Sequence, residues 1–330
     1  MQALLEQNAM NYFIFGGSGF IGSHLVSCIR MQDTTATIYN LDIVESNHNN
    51  RSIFSHCDVR NPIEIELPVS SDDIIFNLAA IHRTSGYRDY EYFETNVCGA
   101  KNVCAFAEKR KISAIAFTST VASYGASEEL KEETTLPTPN TPYGISKLLA
   151  EKNHKIWQAH DNARKLLIVR PGVAFGKGEN GNFTRLYWGI RRRNFFYVGR
   201  KDTIKPCFYV KELVHFILMM IRNQKAGTEL FNCTYYPAYS IEQIVETIKK
   251  TTGLKRKTIK INASLLIIIA SIIGALGGKK IGIHPENIKK LMISSNVSGK
   301  KLISSGYRFK YTFEEALLDW YNDNDKQCLK

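Results

Sequence analysis

Tyr143 and Lys147 are the residues whose types and spacing point most directly to chemistry. Pro142 is expected to begin a helix that continues to about His160, and residues four apart on a helix lie on one face. A tyrosine with its ordinary pKa of about 10 is a poor base. A nearby ammonium group stabilises the phenolate and lowers that pKa. The pair therefore predicts a site that removes and returns a hydroxyl proton, as hydride transfer from a secondary alcohol requires.

A glycine-rich turn, GGSGFIG at 16–22, is the second chemical feature, and it follows the apolar run Asn11–Phe15. Glycines let the backbone approach a ligand closely, and the helix that follows favours a pyrophosphate at its N-terminus. Asp42 lies about 20 residues beyond the turn, where a carboxylate can bind the adenosine ribose. It would repel a 2′-phosphate, and no arginine occurs within Ile43–Asn50. The pattern therefore favours NAD over NADP.

The elements that must position these residues alternate between short apolar runs and segments with helical spacing. The predicted strands are Asn11–Phe15, Thr37–Leu41, Ser52–His56, Ile74–Leu78, Ala114–Thr118 and Leu166–Val169. The predicted helices among them are Phe20–Met31, Tyr90–Lys109 and the segment that Pro142 opens. This alternation predicts an α/β fold with a mainly parallel sheet. Right-handed crossovers make that sheet doubly wound, with helices on both faces.

The pattern changes after Pro171, where the strands shorten. Helices are predicted over Lys211–Ile221, Ile241–Thr251 and Phe313–Tyr321. A chain of 330 residues also exceeds the size at which one hydrophobic core usually stops growing. We therefore expect a nucleotide-binding domain over 1–171 and a smaller, mixed α/β substrate-binding lobe over 172–330. The chain is free to recross between the two.

The motifs together resemble the extended short-chain dehydrogenase/reductase family, particularly its NAD-dependent sugar-nucleotide epimerase/dehydratase branch. The residues that carry the resemblance are GGSGFIG at 16–22, Asp42, NLAA at 77–80, Asn96, FTSTVASYG at 117–125, Tyr143-Gly-Ile-Ser-Lys147 and RPGVAFG at 170–176. It covers the first domain and weakens beyond about residue 215. The resemblance implies a Rossmann fold, bound NAD, a nucleotide-diphosphate sugar as substrate, and a homodimer formed by the helices that carry Tyr90 and Tyr143.

The resemblance also implies roles for individual residues. Tyr143 is the expected acid/base, Lys147 its partner at the nicotinamide ribose, and Thr120 the hydroxyl that binds the reacting oxygen, with Ser119 as the alternative. The expected cofactor-binding residues are Gly16, Gly19, Phe20, Ile21, Gly22, Asp42, Asp58, Val59, Leu78, Ala79, Ala80, Asn96, Tyr143, Lys147 and Pro171.

The expected substrate-binding residues are His82, Thr120, Tyr143, Asn182, Phe183 and Lys205. Arg83 and Thr84 follow His82 and share its position after the fourth strand, although a plain loop is the simpler interpretation of His82. Lys205 stands where relatives place an arginine against the diphosphate, so it keeps the charge but loses the bidentate fork.

The reaction type is narrowed by the residues after Thr120. Dehydratases of this family carry an Asp-Glu pair there, but this chain has Val121-Ala122, which cannot move a proton. A 4-epimerase that transiently oxidises C4 is the first prediction. A 4-ketoreductase or dehydrogenase of a nucleotide sugar, or of a hydroxysteroid-like substrate, is the alternative. A non-enzymatic NAD-binding regulator is a third class, which the presence of Tyr143 and Lys147 disfavours.

Composition excludes several other classes. The net charge of +12 includes basic runs at 191–193, 255–257 and 279–280. No nucleic-acid-reading motif accompanies them, so we expect no nucleic-acid partner and interpret the runs as solvated surface. Such a surface also suits a pyrophosphate-bearing substrate. Seven cysteines without a Cys-x-x-Cys pair suit a reducing compartment, and the histidines show no metal-ligand spacing. We therefore expect no metal.

The segment Leu265–Leu276 (LLIIIASIIGAL) is nearly all apolar. As a helix it would extend about 18 Å, and a bilayer core needs about 20 residues. A buried helix of the second lobe is the first interpretation, and a surface-docked helix flanked by lysines is the second. The stretch Met1–Met10 lacks the apolar core of a secretion signal. A cytoplasmic location is therefore expected.

Overall fold

The computed structural model describes residues 10–46, 51–82, 86–264, 266–267 and 292–330. The strands are β1 Asn11–Phe15, β2 Thr37–Asp42, β3 Ile53–His56, β4 Ile74–Asn77, β5 Ala114–Thr118, β6 Ser127–Lys131, β7 Lys165–Pro171, β8 Val173–Phe175, β9 Tyr197–Val198, β10 Cys207–Tyr209, β11 Gly227–Cys233, β12 Lys260–Ile261 and β13 Ser295–Val297. The α-helices are α1 Phe20–Gln32, α2 Asp89–Tyr92, α3 Gly99–Lys109, α4 Pro142–Ala159, α5 Asn182–Arg191, α6 Val210–Asn223, α7 Ile241–Thr252, α8 Lys300–Ser304 and α9 Phe313–Asp323.

Two compact units share the chain. The first comprises residues 1–125, 136–171 and 210–231, and the second 126–135, 172–209 and 232–330. A division at 171/172 therefore describes only part of the arrangement. The predicted helix Lys211–Ile221 lies within α6, which belongs to the first unit because its apolar side chains pack against α1, β5 and β7.

The first unit contains a seven-stranded sheet in the order β11-β7-β5-β4-β1-β2-β3. Every pairing between neighbours from β3 to β7 is parallel. This confirms the predicted α/β fold, and its core lies under α3 and α4, which cover one face. The strand order changes direction between β1 and β4. In sheets of this kind, ligands bind outside the carboxyl ends of the strands at such a switch point.

The predicted helix Tyr90–Lys109 is interrupted. It is formed by α2, a π-helix over Phe93–Cys98, and α3. A π-helical turn inserts one extra residue into the helical repeat and is frequent at functional positions. Periodicity alone did not reveal this turn, because one inserted residue leaves the apolar spacing of the flanking helices almost unchanged.

The second unit is built from short parallel strand pairs, β8 with β10, β9 with β12, and β6 with β13. Its interior is rich in aromatic rings, with Phe175 in contact with Phe183, Tyr209, Phe313 and Trp320. Of the apolar segment Leu265–Leu276, only Leu266 and Ile267 lie within the described residues. Across the ranges given above, no helix combines the length and apolar content needed to cross a bilayer.

Candidate active site

The glycine-rich turn lies at the carboxyl end of β1, beside the switch point of the sheet. Gly16 has a φ of +81°, a left-handed conformation that favours glycine. A Cβ on Gly16 would come within 2.7 Å of the backbone nitrogen of Ala79, and a Cβ on Gly22 would overlap the carbonyl oxygen of Gly16. Gly16 and Gly22 therefore cannot carry side chains, because the turn packs tightly against the Leu78–Ala79 backbone and against itself. A tight glycine turn of this kind, leading into a helix, is the arrangement that dinucleotide-binding folds use at the pyrophosphate.

The start of α1 faces the same turn. Gly19 precedes the helix and has no side chain with which to cap it. The first helical N–H groups are thus left for another acceptor, and the helix dipole favours an anion there. Phe20 and Ile21 form the first turn, with the Phe20 ring edge-on to His24 at 5.5 Å. The predicted positions at the helix start therefore fit a phosphate group.

Asp42 ends β2, and its carboxylate is held by backbone groups. Oδ2 accepts a hydrogen bond from the Ser18 N–H at 3.0 Å, and Oδ1 accepts one from the Ile43 N–H at 2.7 Å. Asn40 on the same strand donates to Ser18 Oγ at 2.9 Å. The bonds of Asp42 fix its carboxylate directly beside the glycine-rich turn. Its remaining lone pairs can accept hydrogen bonds from the two hydroxyls of the adenosine ribose.

Asp58 follows β3 and is paired with Arg60. Arg60 Nη2 lies 2.6 Å from Asp58 Oδ2, and this hydrogen bond lowers the pKa of the Asp58 carboxyl. Val59 is buried, and its carbonyl accepts a hydrogen bond from Asn102 Nδ2 at 2.8 Å. An adenine amino group at Asp58 would have to share the carboxylate with Arg60, a partner that the sequence analysis did not anticipate.

The loop after β4 is fastened by Asn96, which lies in the π-helix. Asn96 Oδ1 accepts from the Ile81 N–H at 3.0 Å, and Asn96 Nδ2 donates to the Ile81 carbonyl at 3.1 Å. The same Nδ2 group donates to Ser146 Oγ on α4 at 2.9 Å. One buried amide thus joins the loop that carries Leu78–Ala80 to the helix that carries Tyr143. Its role is structural support for the site, in addition to any contact with a cofactor.

Tyr143, Lys147 and Thr120 are brought together at the carboxyl end of β5. Thr120 caps the short 3₁₀ helix Val121–Tyr124, its Oγ1 accepting from the Ala122 N–H at 3.1 Å, and its side chain acts on Tyr143 to lower the tyrosine pKa. Lys147 is only 2% exposed, and its Nζ lies 4.2 Å from the centre of the Phe117 ring. The arrangement is that of an acid/base hydroxyl with a buried amine one helical turn away.

Burial dominates the protonation of this pair. It raises the pKa of Tyr143 to about 12, although the Thr120 side chain opposes the change. It lowers the pKa of Lys147 to about 7, with the Glu151 carboxylate opposing. In the protein alone, burial disfavours both charged forms. The phenolate stabilised by a lysine cation concerns the site with oxidised NAD bound, and it stays a prediction.

A buried ion pair lies one turn further along α4. Both oxygens of the Glu151 carboxylate accept from Arg170, Oε1 from Nε at 2.8 Å and Oε2 from Nη2 at 2.7 Å, and Oε1 also accepts from Ser119 Oγ at 2.5 Å. Sequence reasoning missed this pair. The spacing of Tyr143, Lys147 and Glu151 at every fourth residue was the available signal, since it puts all three on one face of α4.

His154 completes that buried face, and it too was missed. Its ring stacks on Phe117 at 4.1 Å, its Nδ1 lies 2.8 Å from the Ala150 carbonyl, and its Nε2 lies 3.2 Å from Asn77 Nδ2. The carbonyl can only accept and the amide Nδ2 can only donate, which assigns the proton to Nδ1. Burial lowers the pKa of His154 to about 4, so the ring is neutral.

The remaining predicted substrate residues divide between the units. His82 follows β4 in the first unit, and Arg83 and Thr84 lie outside the described residues. Phe183 and Lys205 belong to the second unit. Phe183 is buried in its aromatic interior, so only its backbone is available to a ligand. Lys205 Nζ donates to the Ile293 carbonyl at 2.9 Å, and burial lowers its pKa.

Asn182, the first residue of α5, and Pro171, the last of β7, complete the predicted set. Asn182 Oδ1 accepts a hydrogen bond from Arg185 Nη2 at 2.8 Å. Pro171 is buried at the carboxyl end of its strand, the edge of the sheet that carries the glycine turn and Asp42. The first unit alone therefore assembles the cofactor cradle and the Thr120, Tyr143 and Lys147 group.

The chain is similar to known proteins over most of its length. The model of the NAD dependent epimerase/dehydratase family matches residues 12–234. The N-acetyl-alpha-D-glucosaminyl-diphospho-ditrans,octacis-undecaprenol 4-epimerase of Escherichia coli O157:H7 is 30% identical over 311 residues, 93% of each chain. A UDP-glucose 4-epimerase of Halalkalibacterium halodurans is 24% identical over 74% of this chain and 81% of its own length.

A solved structure shows the same fold. UDP-glucuronic acid 4-epimerase from Bacillus cereus in complex with NAD superposes with a TM-score of 0.72 at 17% identity, covering 95% of this chain and 98% of that one. The likeness extends across the C-terminal part of the chain, in which sequence motifs are sparse.

Proposed function

Because the chain belongs to the NAD-dependent epimerase/dehydratase family and is an NAD-binding enzyme of the extended short-chain dehydrogenase/reductase type, we propose that it is a 4-epimerase of a sugar carried on a diphosphate. The observation that carries the proposal is the position of Tyr143 and Lys147 one turn apart on α4, with Lys147 buried and the Thr120 side chain acting to lower the pKa of Tyr143. That group supplies reversible proton transfer at one hydroxyl, which oxidation at C4 needs.

In this proposal Tyr143 Oη takes the proton from the sugar O4 hydroxyl and returns it to the 4-keto oxygen later. Thr120 Oγ1 hydrogen-bonds the same oxygen and holds it against Tyr143. The protonated Lys147 amine stabilises the Tyr143 phenolate. The pKa of Lys147, about 7, allows this amine to be charged or neutral near neutral pH. Bound NAD supplies the hydride acceptor and donor at C4.

The residues present fit that cofactor. The tight turn that contains Gly16, Gly19 and Gly22 leads directly into α1, whose first amides have no side-chain cap and are available to a pyrophosphate. Asp42, held by the Ser18 and Ile43 amides, is positioned for the adenosine ribose. We propose that these groups, with Asn96 fastening the adjacent loop, hold the dinucleotide.

Dehydration is disfavoured by the residues next to Thr120. The 3₁₀ helix Val121–Tyr124 begins with a valine and an alanine. Neither side chain can exchange a proton with C5 or C6 of a sugar. Simple return of the hydride to C4 therefore fits this site better than loss of water.

Two kinds of diphosphate carrier for the sugar fit this proposal. The first is a nucleoside diphosphate, the carrier named for UDP-glucose 4-epimerases among the relatives. The second is a polyprenyl diphosphate, and the similarity of 30% over 93% of both chains to an epimerase of an undecaprenyl-diphosphate-linked sugar favours it. The reacting hexose and the diphosphate are common to both, so the chemistry at Tyr143 is the same.

The test uses the purified protein without added cofactor. It is incubated with UDP-glucose, with UDP-N-acetylglucosamine and with N-acetylglucosaminyl-diphospho-undecaprenol in detergent, and the C4 epimers are separated by chromatography. Epimer formed from any of them supports the proposal, and the substrate converted fastest identifies the carrier.

Turnover only when NADH or NADPH is added together with a 4-keto sugar would instead show a ketoreductase. No conversion of any sugar diphosphate under either condition would contradict the proposal. The variant Tyr143→Phe serves as the matched inactive control.

A further inference from the structure

Helix α5 has one buried and one basic face. Phe183, Thr184, Tyr187 and Ile190 are buried, whereas Arg185, Trp188 and Arg192 lie on the outer side. The four arginines at 185, 191, 192 and 193 are all exposed, and Trp188 is half-buried among them. These five residues are called the arginine surface below.

The arginine surface contains a shallow cleft of about 310 Å³. Its lining includes Arg185, Trp188, Arg192 and Asn194. The guanidinium carbons of Arg191 and Arg192 lie 5.2 and 5.1 Å from the centre of the Trp188 ring, within the range of cation–π contact. A tryptophan held between arginines presents an amphipathic ring and positive charge at the same place.

The positive charge is not neutralised by carboxylates. Among the described residues, none of the four arginines forms an ion pair. Arg185 donates to Asn182 Oδ1, and Arg191 donates to the Tyr187 hydroxyl and the Gln327 carbonyl, all neutral acceptors. The sequence between Glu179 and Asp202 contains no acidic residue. The surface is therefore a concentrated cationic patch.

Helix capping does not account for this patch. Cations stabilise the C-terminal turn of a helix, which explains Arg191. Arg185, however, lies near the N-terminal end of α5, where the dipole disfavours a cation. Arg193 has a φ of +61°, in the left-handed region that favours glycine, yet the position carries an arginine. Helix stability therefore explains Arg191 but explains neither Arg185 nor Arg193.

The contacts of Trp188 favour a lipid surface over a nucleic acid. The guanidinium groups of Arg191 and Arg192 lie over the Trp188 ring, where a nucleic-acid base would have to stack. A tryptophan surrounded by cations suits the headgroup level of an anionic bilayer.

We propose that the arginine surface docks the protein onto a membrane face rich in anionic lipids. The arginines bind the lipid phosphates, and Trp188 inserts at the level of the headgroups. The proposal does not depend on which carrier is epimerised, since it concerns a surface that contains none of the Thr120, Tyr143 and Lys147 group. It modifies the earlier interpretation of the 191–193 run as solvated surface.

The test compares binding to vesicles of phosphatidylcholine with binding to vesicles of phosphatidylcholine and phosphatidylglycerol in equal amounts, by co-sedimentation at low salt. The triple variant Arg191→Gln/Arg192→Gln/Arg193→Gln is expected to bind the anionic vesicles on the order of 100-fold more weakly than the unmodified protein. The matched control, Lys101→Gln/Lys109→Gln/Lys111→Gln, removes the same charge from exposed residues of the other compact unit and is expected to change binding by less than about 3-fold.

Tryptophan fluorescence gives a second measurement in case the triple variant fails to fold. Trp157 and Trp320 are buried at 2% and 0% exposure, so a blue shift on addition of anionic vesicles is expected to come from Trp188 and to vanish in Trp188→Phe. Bound NAD and activity in detergent should be unchanged in both arginine and tryptophan variants.

Three results would overturn the proposal: equal losses in the two triple variants, equal binding of the unmodified protein to neutral vesicles, or tighter binding to a single-stranded oligonucleotide than to anionic vesicles.

Discussion

At the scale of single residues, the site depends on how Tyr143 and Lys147 share protons. Burial places the pKa of the tyrosine at about 12 and that of the lysine at about 7. Above neutral pH both side chains are therefore uncharged in the protein alone. A positive charge next to the phenol, such as an oxidised nicotinamide carries, would favour the phenolate. Proton transfer by Tyr143 therefore depends on a positively charged group bound next to its phenol.

Replacement of Tyr143 by phenylalanine tests its role as acid/base. The ring and its contact with Tyr92 are retained, and only the hydroxyl is lost. General acid–base catalysis contributes about 10²–10⁴-fold, so turnover should fall by at least that factor. NAD released on denaturation, measured by absorbance, should stay within a few-fold of the unmodified protein. Preserved turnover would assign the proton transfer to another group.

Asp42 tests the cofactor preference. In Asp42→Ala the ribose loses its acceptor and the Ser18 and Ile43 amides lose their partner. Affinity for NAD should fall about 10-fold or more, consistent with the loss of charged hydrogen bonds. Affinity for NADP should fall much less, because its 2′-phosphate is no longer repelled. Titration calorimetry measures both, and an equal loss for the two cofactors would refute the ribose assignment.

At the scale of elements, one face of α4 carries the site. Tyr143 is half-buried near the start of the helix, and Lys147, Glu151 and His154 are buried further along it. Phe117 of β5 contacts both Lys147 and His154. Glu151 joins this helix to β7 through Arg170 and to the Ser119 hydroxyl beside Thr120. The helix is therefore fixed to the two strands whose ends surround the reacting hydroxyl.

The buried lysine on α4 predicts a pH-dependent stability. Its pKa is about 7 in the folded protein, against an ordinary value of 10.5 when unfolded. Between those values the unfolded chain binds more protons, so the stability contributed by this group rises with pH. The melting temperature of the unmodified protein should therefore rise relative to Lys147→Met from pH 7 to pH 10, by thermal unfolding without NAD. A constant difference across that range would contradict the low pKa.

The Glu151–Arg170 pair predicts a coupled loss of stability. The side chains are 0% and 3% exposed, so Arg170→Met leaves a buried carboxylate without its cation. Such a change costs about 3–5 kcal/mol in the free energy of unfolding. The double variant Arg170→Met/Glu151→Leu should recover most of that loss. Urea denaturation measures both, and a double variant no more stable than the single one would show that the pair acts through other contacts.

Sequence patterns within one segment predicted much of this site, but contacts between distant segments could not be predicted from them. The glycine turn, Asp42 and the Tyr143/Lys147 pair were evident because each depends on spacing within one strand–turn–helix segment. Arg170 could not be assigned to Glu151, because their pairing depends on which strand packs against α4. The inserted π turn that carries Asn96 was hidden for a similar reason. Its stabilising contacts lie in the distant Ile81 loop and in α4.

At the scale of the whole molecule, the two compact units have different sequence character. The first holds the motifs of the family, and the second is an aromatic-rich assembly of short strand pairs. The carrier of the sugar is expected to be selected by residues outside the shared motifs, which is why the identity of the nucleotide or lipid did not follow from them. The homodimer and the cytoplasmic location stay predictions.

The central claim is that the enzyme inverts C4 with its own bound NAD. The most direct measurement uses a sugar diphosphate that carries deuterium at C4, incubated with the purified protein in ordinary water without added cofactor. We predict that both epimers appear and that both retain the deuterium, because the hydride removed from C4 returns to C4. Loss of the label, or conversion only with added cofactor and net formation of NADH, would contradict the claim.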